Sequence, residues 1–188
     1  GWFGPPGLLI ILKILGKDVA RRRDVQHCRH ERPLVRHLQH RIVDIGQVLV
    51  GDRHVLVIED KIFPKVNSFI PGGQDLAPIE EFSGRIRAAK EAQSGPDLMV
   101  FARVEALIAG FGLEEALRRA HAYADAGADG IVIHSKSSSP EEVIAFSRRW
   151  NRRLPLTAIP TTYFKITAEE LQQEGFSMVI YANQGLRA

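Results

Sequence analysis

The sequence predicts an α/β fold with a parallel sheet, on three observations. Five short apolar runs recur between Val55 and Ala182. Segments with apolar residues at helical spacing lie between them, and polar side chains follow each run directly. Strict alternation of strand and helix implies right-handed βαβ units. Two architectures fit, an open doubly wound sheet and a (β/α)8 barrel. No G-x-G-x-x-G follows the first clear strand, which weighs against the dinucleotide-binding form of the open sheet.

Val55–Ile58, Leu98–Ala102, Gly130–Ile133, Leu156–Ile159 and Met178–Ala182 read as buried strands. The helix over 78–93 opens on Pro78, carries Glu80 and Glu81 in its first turn, and buries Ile79, Phe82, Ile86 and Ala89. The helix over 113–126 repeats that spacing with Leu113, Ala116, Leu117, Ala120 and Ala124, and Gly127 ends it. Ser139-Pro140-Glu141-Glu142 and Thr167-Ala168-Glu169-Glu170 read as capping boxes, the second helix closing at Gly175.

Residues 1–54 read differently. They hold ten Lys/Arg against five Asp/Glu, whereas residues 55–188 hold fifteen against seventeen. The net charge of +3 therefore belongs to the front segment. Residues 8–16 fit a short strand or helical turn, and Val43, Ile45 and Val48-Leu49-Val50 fit short strands. From Asp18 to His40 the text is rich in Arg, His and Gln, without caps or period. The chain divides into an atypical basic segment, 1–54, and a strand-and-helix region, 55–188. The first is a divergent or misread start of the domain, since its local signals disagree with one another.

Several classes of function are weighed down by composition. No apolar run nears the roughly 18 residues that span a bilayer, and Gly1-Trp2-Phe3-Gly4 lacks a basic leader, so no membrane or secretory role is expected. One cysteine, Cys28, fits a reducing cytoplasm and completes no thiolate metal cluster. Arg21-Arg22-Arg23 lies in no recognised nucleic-acid motif, so nucleic-acid binding is not the expected function.

In parallel α/β folds, functional groups collect at the carboxyl ends of strands. Those ends read Glu59-Asp60-Lys61, Arg103-Val104-Glu105, His134-Ser135-Lys136, Pro160-Thr161-Thr162 and Asn183. Arg, Lys and His suit a small phosphorylated or carboxylated anion. Glu59 and Asp60 offer oxygen ligands for a hard divalent cation.

The stretch Glu59-Asp60-Lys61-Ile62-Phe63-Pro64-Lys65-Val66-Asn67-Ser68 resembles the loop signature of the phosphoenolpyruvate mutase family, in the isocitrate lyase superfamily. The resemblance runs on through Ala102–Gly110, Ala126–Gly130, His134–Lys136, Ser177–Asn183 and Leu186-Arg187. It implies a (β/α)8 TIM-type barrel, present here incompletely as five βα units from residue 55 on. It implies Mg2+ and an isomerase that interconverts phosphoenolpyruvate and phosphonopyruvate, forming the carbon–phosphorus bond of phosphonate biosynthesis. Under it, Lys65, Asn67, Arg103 and His134 are the catalytic set. Ser68, Arg103 and His134 contact substrate, and Glu59 belongs to the metal shell. It also implies a cytoplasmic homo-oligomer acting on a small molecule. Asn67 favours the mutase over phosphonopyruvate hydrolase, the alternative on this barrel. The family's Asp-x-Asp metal motif does not occur in residues 1–54. Impaired turnover, or a non-catalytic fragment of the family, is the second alternative. Five strands alone would leave an open sheet edge and a wide apolar face.

Overall fold

In the computed structural model, residues 11–14, 45–50, 53–62, 75–93 and 95–181 are described, with side chains from residue 54 onward. The elements run β1 (Ile11–Ile14), β2 (Ile45–Val50), β3 (Arg53–Glu59), α1 (Ile79–Glu91), β4 (Leu98–Val104), α2 (Gly112–Asp125), β5 (Gly130–Ile133), α3 (Glu141–Trp150), β6 (Leu156–Ala158), α4 (Ala168–Gln173) and β7 (Met178–Tyr181). The sheet order is β1-β7-β6-β5-β4-β3-β2. Strands β3 to β7 are parallel and lie side by side in chain order. That sequential order, curled over its helices, is half of a barrel rather than a doubly wound sheet.

The expected open edges are covered. β2 pairs antiparallel with β3, and β1 pairs antiparallel with β7. Both covering strands come from the first fifty residues, where residues 8–16 fit a short strand or helical turn and residues 43–50 fit short strands. Their pairing supplies hydrogen bonds that a bare parallel edge would leave to water.

Strand alternation sorts the side chains onto two faces. Ile58, Ala102, Ile131, Ala158 and Val179 point toward the helices and join Phe82, Ile86, Ala120, Phe146 and Leu171 in the main core. Each fully buried Ile or Phe there contributes about 1.5–3 kcal/mol. Val55, Phe101, Val132, Ile159, Met178 and Ile180 form a second cluster on the opposite, concave face. The Phe101 ring crosses Gly130 so closely that a Cβ there would lie 2.5 Å from ring carbon. Only glycine lets the ring lie flat across that strand.

Helix ends follow the sequence signals in part. Thr167 accepts from the Glu170 N–H, and the Glu170 carboxylate accepts from the Thr167 N–H, a complete capping box. Gly127 and Gly175 take φ of +100° and +98° just past their helices. The box expected at Ser139 does not form. Ser139 Oγ accepts from the Glu141 N–H at 3.3 Å, but the Glu142 carboxylate turns back to the Ser135 hydroxyl. The helix dipole is instead met by Glu141 and Glu142 in the first turn.

Candidate active site

The parallel register brings the polar strand ends together. Glu59 stands beside Arg103, Arg103 beside Val132, Val132 beside Thr157 and Thr157 beside Met178. This row crosses the concave face. Lys61, Glu105 and His134 lie two residues further along their strands and share that face by alternation.

Four charges form a tight alternating set. Lys61 Nζ lies 3.0 Å from a Glu105 oxygen and 3.4 Å from Glu59. Arg103 Nε donates to Glu105 at 2.6 Å, and its Nη1 lies 3.9 Å from Glu59. Glu105 is fully buried and Lys61 nearly so. Buried charges this close survive only when matched in sign, as they are here. Their formal sum is zero, and Arg103 keeps the larger exposed fraction, 24%. Arg103 is therefore the cation of this set best placed to meet an incoming anion.

His134 adjoins the quartet and is 3% exposed. Burial, then the charges of Arg103 and Lys61, push its pKa down to about 3. The imidazole is neutral at pH 7. A neutral ring has one donor and one acceptor nitrogen, and a hydrogen bond to the Ile159 backbone already engages it.

Asp60 takes no part in this face. It is fully buried and points the other way, toward α2. Its carboxylate accepts from the Glu105 N–H at 2.9 Å, the Tyr123 hydroxyl at 2.8 Å and Arg119 Nη1 at 3.2 Å. Burial raises its pKa, opposed by those donors. The reading of Asp60 as a metal ligand is thus corrected. Between Glu59 and Lys61 on an extended strand end, the middle residue must face the opposite side.

Of the sequence-derived set, Glu59, Arg103 and His134 come together. Lys65, Asn67, Ser68 and Asn183 lie outside the described residues. Lys136 is exposed, and Thr162 donates its hydroxyl to the Ser135 carbonyl at 3.2 Å. Lys61 and Glu105, which stand at strand ends in the sequence, form the buried half of the quartet. The signal was present in the 59/61 and 103/105 spacing, which places each pair on one face.

A divalent cation fits the described residues poorly. No group of three His, Cys, Asp or Glu side chains among them is arranged to hold one. Glu59 and Glu105 are already matched by Lys61 and Arg103, and Asp60 by Arg119. Hard cations need several oxygen ligands, and these carboxylates are committed elsewhere.

A half-barrel of parallel strands with carboxylate, guanidinium, ammonium and imidazole groups at its strand ends defines an α/β-barrel protein with a charged polar centre. A family model described as phosphoenolpyruvate phosphomutase matches residues 45–188, and the chain belongs to that family. The phosphoenolpyruvate phosphomutase of Tetrahymena pyriformis is 51% identical over 132 residues, 70% of this chain and 44% of that protein. The crystal structure of phosphoenolpyruvate phosphomutase from Streptomyces platensis subsp. rosaceus superposes with a TM-score of 0.69 at 60% identity, over 71% of this chain and 46% of that one. A phosphonopyruvate hydrolase in complex with oxalate and Mg++ superposes with a TM-score of 0.63 at 44% identity, over 71% and 45%. The chain spans about half the length of the relatives it matches. No helix among the described residues is long and apolar enough to cross a membrane.

Proposed function

We propose that this chain carries one half of a phosphoenolpyruvate mutase site, an isomerase interconverting phosphoenolpyruvate and phosphonopyruvate. The observation that carries the reading is the Glu59–Lys61–Arg103–Glu105 quartet beside a neutral His134, at adjacent strand ends of a mutase-family half-barrel. Both substrates carry a carboxylate and a phosphorus-bound oxyanion group. Moving a phosphoryl group is mainly a matter of positioning and of stabilising spread charge. Arg103, 24% exposed and fixed in orientation by Glu105, offers a planar guanidinium to an oxyanion. His134, neutral and hydrogen-bonded to the Ile159 backbone, adds no charge that competes for the anion. Lys65, Asn67 and Ser68, on the connection from Ile62 to Asp75, are assigned by family resemblance to substrate contact.

Mg2+ is the cofactor that the family resemblance implies, and Glu59 would join it through bound water. The described donors do not complete such a site, so no step is routed through it. Weak Mg2+ affinity and slow turnover are expected of this chain. A cytoplasmic place in phosphonate biosynthesis, and assembly as a homo-oligomer, extend the same reading.

The test is phosphorus NMR of the purified chain with phosphonopyruvate and Mg2+. A growing phosphoenolpyruvate signal supports the mutase. Inorganic phosphate with pyruvate supports the hydrolase reading, which the likeness to phosphonopyruvate hydrolase also favours. An unchanged spectrum from folded protein overturns catalysis by this chain.

A further inference from the structure

A buried, multiply bonded carboxylate lies behind the site. Asp60 sits between Glu59 and Lys61 in sequence and faces away from them. Its own N–H donates to the Arg103 carbonyl at 3.2 Å, and one carboxylate oxygen accepts from the Glu105 N–H at 2.9 Å. Its other oxygen accepts from Tyr123 and Arg119, one turn apart on α2. Arg119 Nη1 also donates to the Ala77 carbonyl at 2.9 Å and to the Tyr123 hydroxyl at 3.0 Å. Its Nε is held by Glu115 at 2.8 Å. The Tyr123 ring packs on Phe82 with centroids 4.6 Å apart, which ties the cluster to α1.

The same cluster draws two stretches of chain together. The Ala77 N–H donates to the Asp60 carbonyl at 2.8 Å, and the Ile62 N–H donates to the Asp75 carbonyl at 3.0 Å. Lys61 and Leu76 pair between them as an antiparallel bridge. Arg119 spans both stretches, holding the Asp60 carboxylate on one and the Ala77 carbonyl on the other.

We propose that Asp60, Arg119 and Tyr123 are positioning residues: a buried clamp that sets the Glu59, Lys61, Arg103 and Glu105 side chains from behind by fixing the ends of β3 and β4 and the return of the chain at Ala77. Every quartet member is on, or adjacent to, a backbone unit that the clamp holds. Glu59 and Lys61 flank Asp60, Glu105 gives it an N–H, and Arg103 gives it a carbonyl. None of the three clamp residues faces the ligand side, so none is a catalytic residue. The proposal rests on the proposed function only for what the quartet binds.

Its test needs no turnover. Amide hydrogen exchange and the Arg103 Nε–H resonance are followed in the full chain and in Tyr123→Phe, Arg119→Lys and Ser147→Ala. Ser147 donates a buried hydroxyl to the Glu174 carbonyl at 2.6 Å, far along the fold on α3, and controls for plain loss of stability. Tyr123→Phe is expected to speed exchange at Ile62, Ala77 and Glu105 about tenfold, the worth of one buried charge-assisted hydrogen bond. Ile131 and Ser177, whose N–H groups bond elsewhere, stay as they are. The Arg103 Nε–H signal moves with it. Arg119→Lys, which keeps the charge but loses the fork, gives the same pattern at Ile62 and Ala77. Ser147→Ala leaves both the three amides and the Arg103 signal unmoved. Exchange that rises equally at Ile131 and Ser177, or an Arg103 signal unmoved in both clamp variants, overturns the proposal. A silent phosphorus spectrum alongside the expected exchange pattern would reject turnover and leave the clamp standing.

Discussion

Lys61 and Glu105 make an ion pair of 3.0 Å in which the side chains are 4% and 0% exposed. A pair so deeply buried is not needed to hold two strands together, since apolar residues would do that at less desolvation cost. Its value lies in fixing charge beside Arg103. Removing Lys61 leaves Glu59 and Glu105 with Arg103 as their common cation, so the buried set carries an uncompensated negative charge. Lys61→Met is therefore expected to cost about 3–5 kcal/mol, read by urea unfolding at neutral pH. A loss below about 1 kcal/mol, the range of exposed pairs, would show that water reaches the quartet.

His134 makes stability depend on pH. Its pKa is about 3 in the fold and 6.5 when free, lowered by burial first and by Arg103 and Lys61 after it. The unfolded chain thus binds the proton that the folded chain refuses. The contribution is complete above pH 6.5 and is lost progressively between 6.5 and about 3 as pH falls. Within that window one proton is worth about 1.4 kcal/mol per pH unit. Unfolding midpoints measured across it are expected to flatten in His134→Gln. A His134 ring resonance titrating near its free value would contradict the burial.

Much of this was legible in the sequence, and the reasons differ by element. β3 to β7 were readable because each is an apolar run closed by polar residues, and α4 because Thr167 and Glu170 are a true box. The cap at Ser139 misled because Glu142 had a better partner in Ser135, a tertiary contact that no local pattern carries. β1 pairs with β7 across 164 to 170 residues, and a pairing that distant leaves no periodic trace in a basic segment, whereas β2 forms a hairpin with β3 across 3 to 13 residues. Arg119 and Tyr123 belong to no motif that the sequence shows. Their i, i+4 spacing became meaningful only once Asp60 was seen to face them.

Gly130 tests the concave face. A Cβ there would sit 2.5–2.8 Å from three carbons of the Phe101 ring, which is itself 2% exposed. Gly130→Ala must push that ring aside within a packed cluster, at about 1–3 kcal/mol. Thermal unfolding reads the loss. Adding Phe101→Leu to the same chain is expected to recover part of it, and no recovery would place the strain elsewhere.

Thr167 tests the local code alone. Its hydroxyl accepts from the Glu170 N–H at 3.1 Å on a helix of six residues. Thr167→Ala is expected to cost about 1 kcal/mol. Thr167→Ser, which keeps the acceptor, is expected to cost little. Equal losses in the two variants, by thermal or urea unfolding, would locate the effect in the methyl group instead of the cap.

Arg103 carries the prediction closest to function. Its Nε is bound to Glu105 and its Nη1 lies 3.9 Å from Glu59, and at 24% it is the more exposed of the quartet's two cations. Lysine there would keep the charge and lose the planar fork. Arg103→Lys is expected to weaken phosphonopyruvate binding about tenfold, equivalent to about 1.4 kcal/mol. Arg103→Met, which also leaves Glu105 without this cation, is expected to weaken it further and to lower stability. Titration calorimetry with phosphonopyruvate separates the two effects when paired with unfolding curves. Unchanged affinity in Arg103→Lys would mean that the anion is held as a point charge, and that Lys65 rather than Arg103 provides the grip.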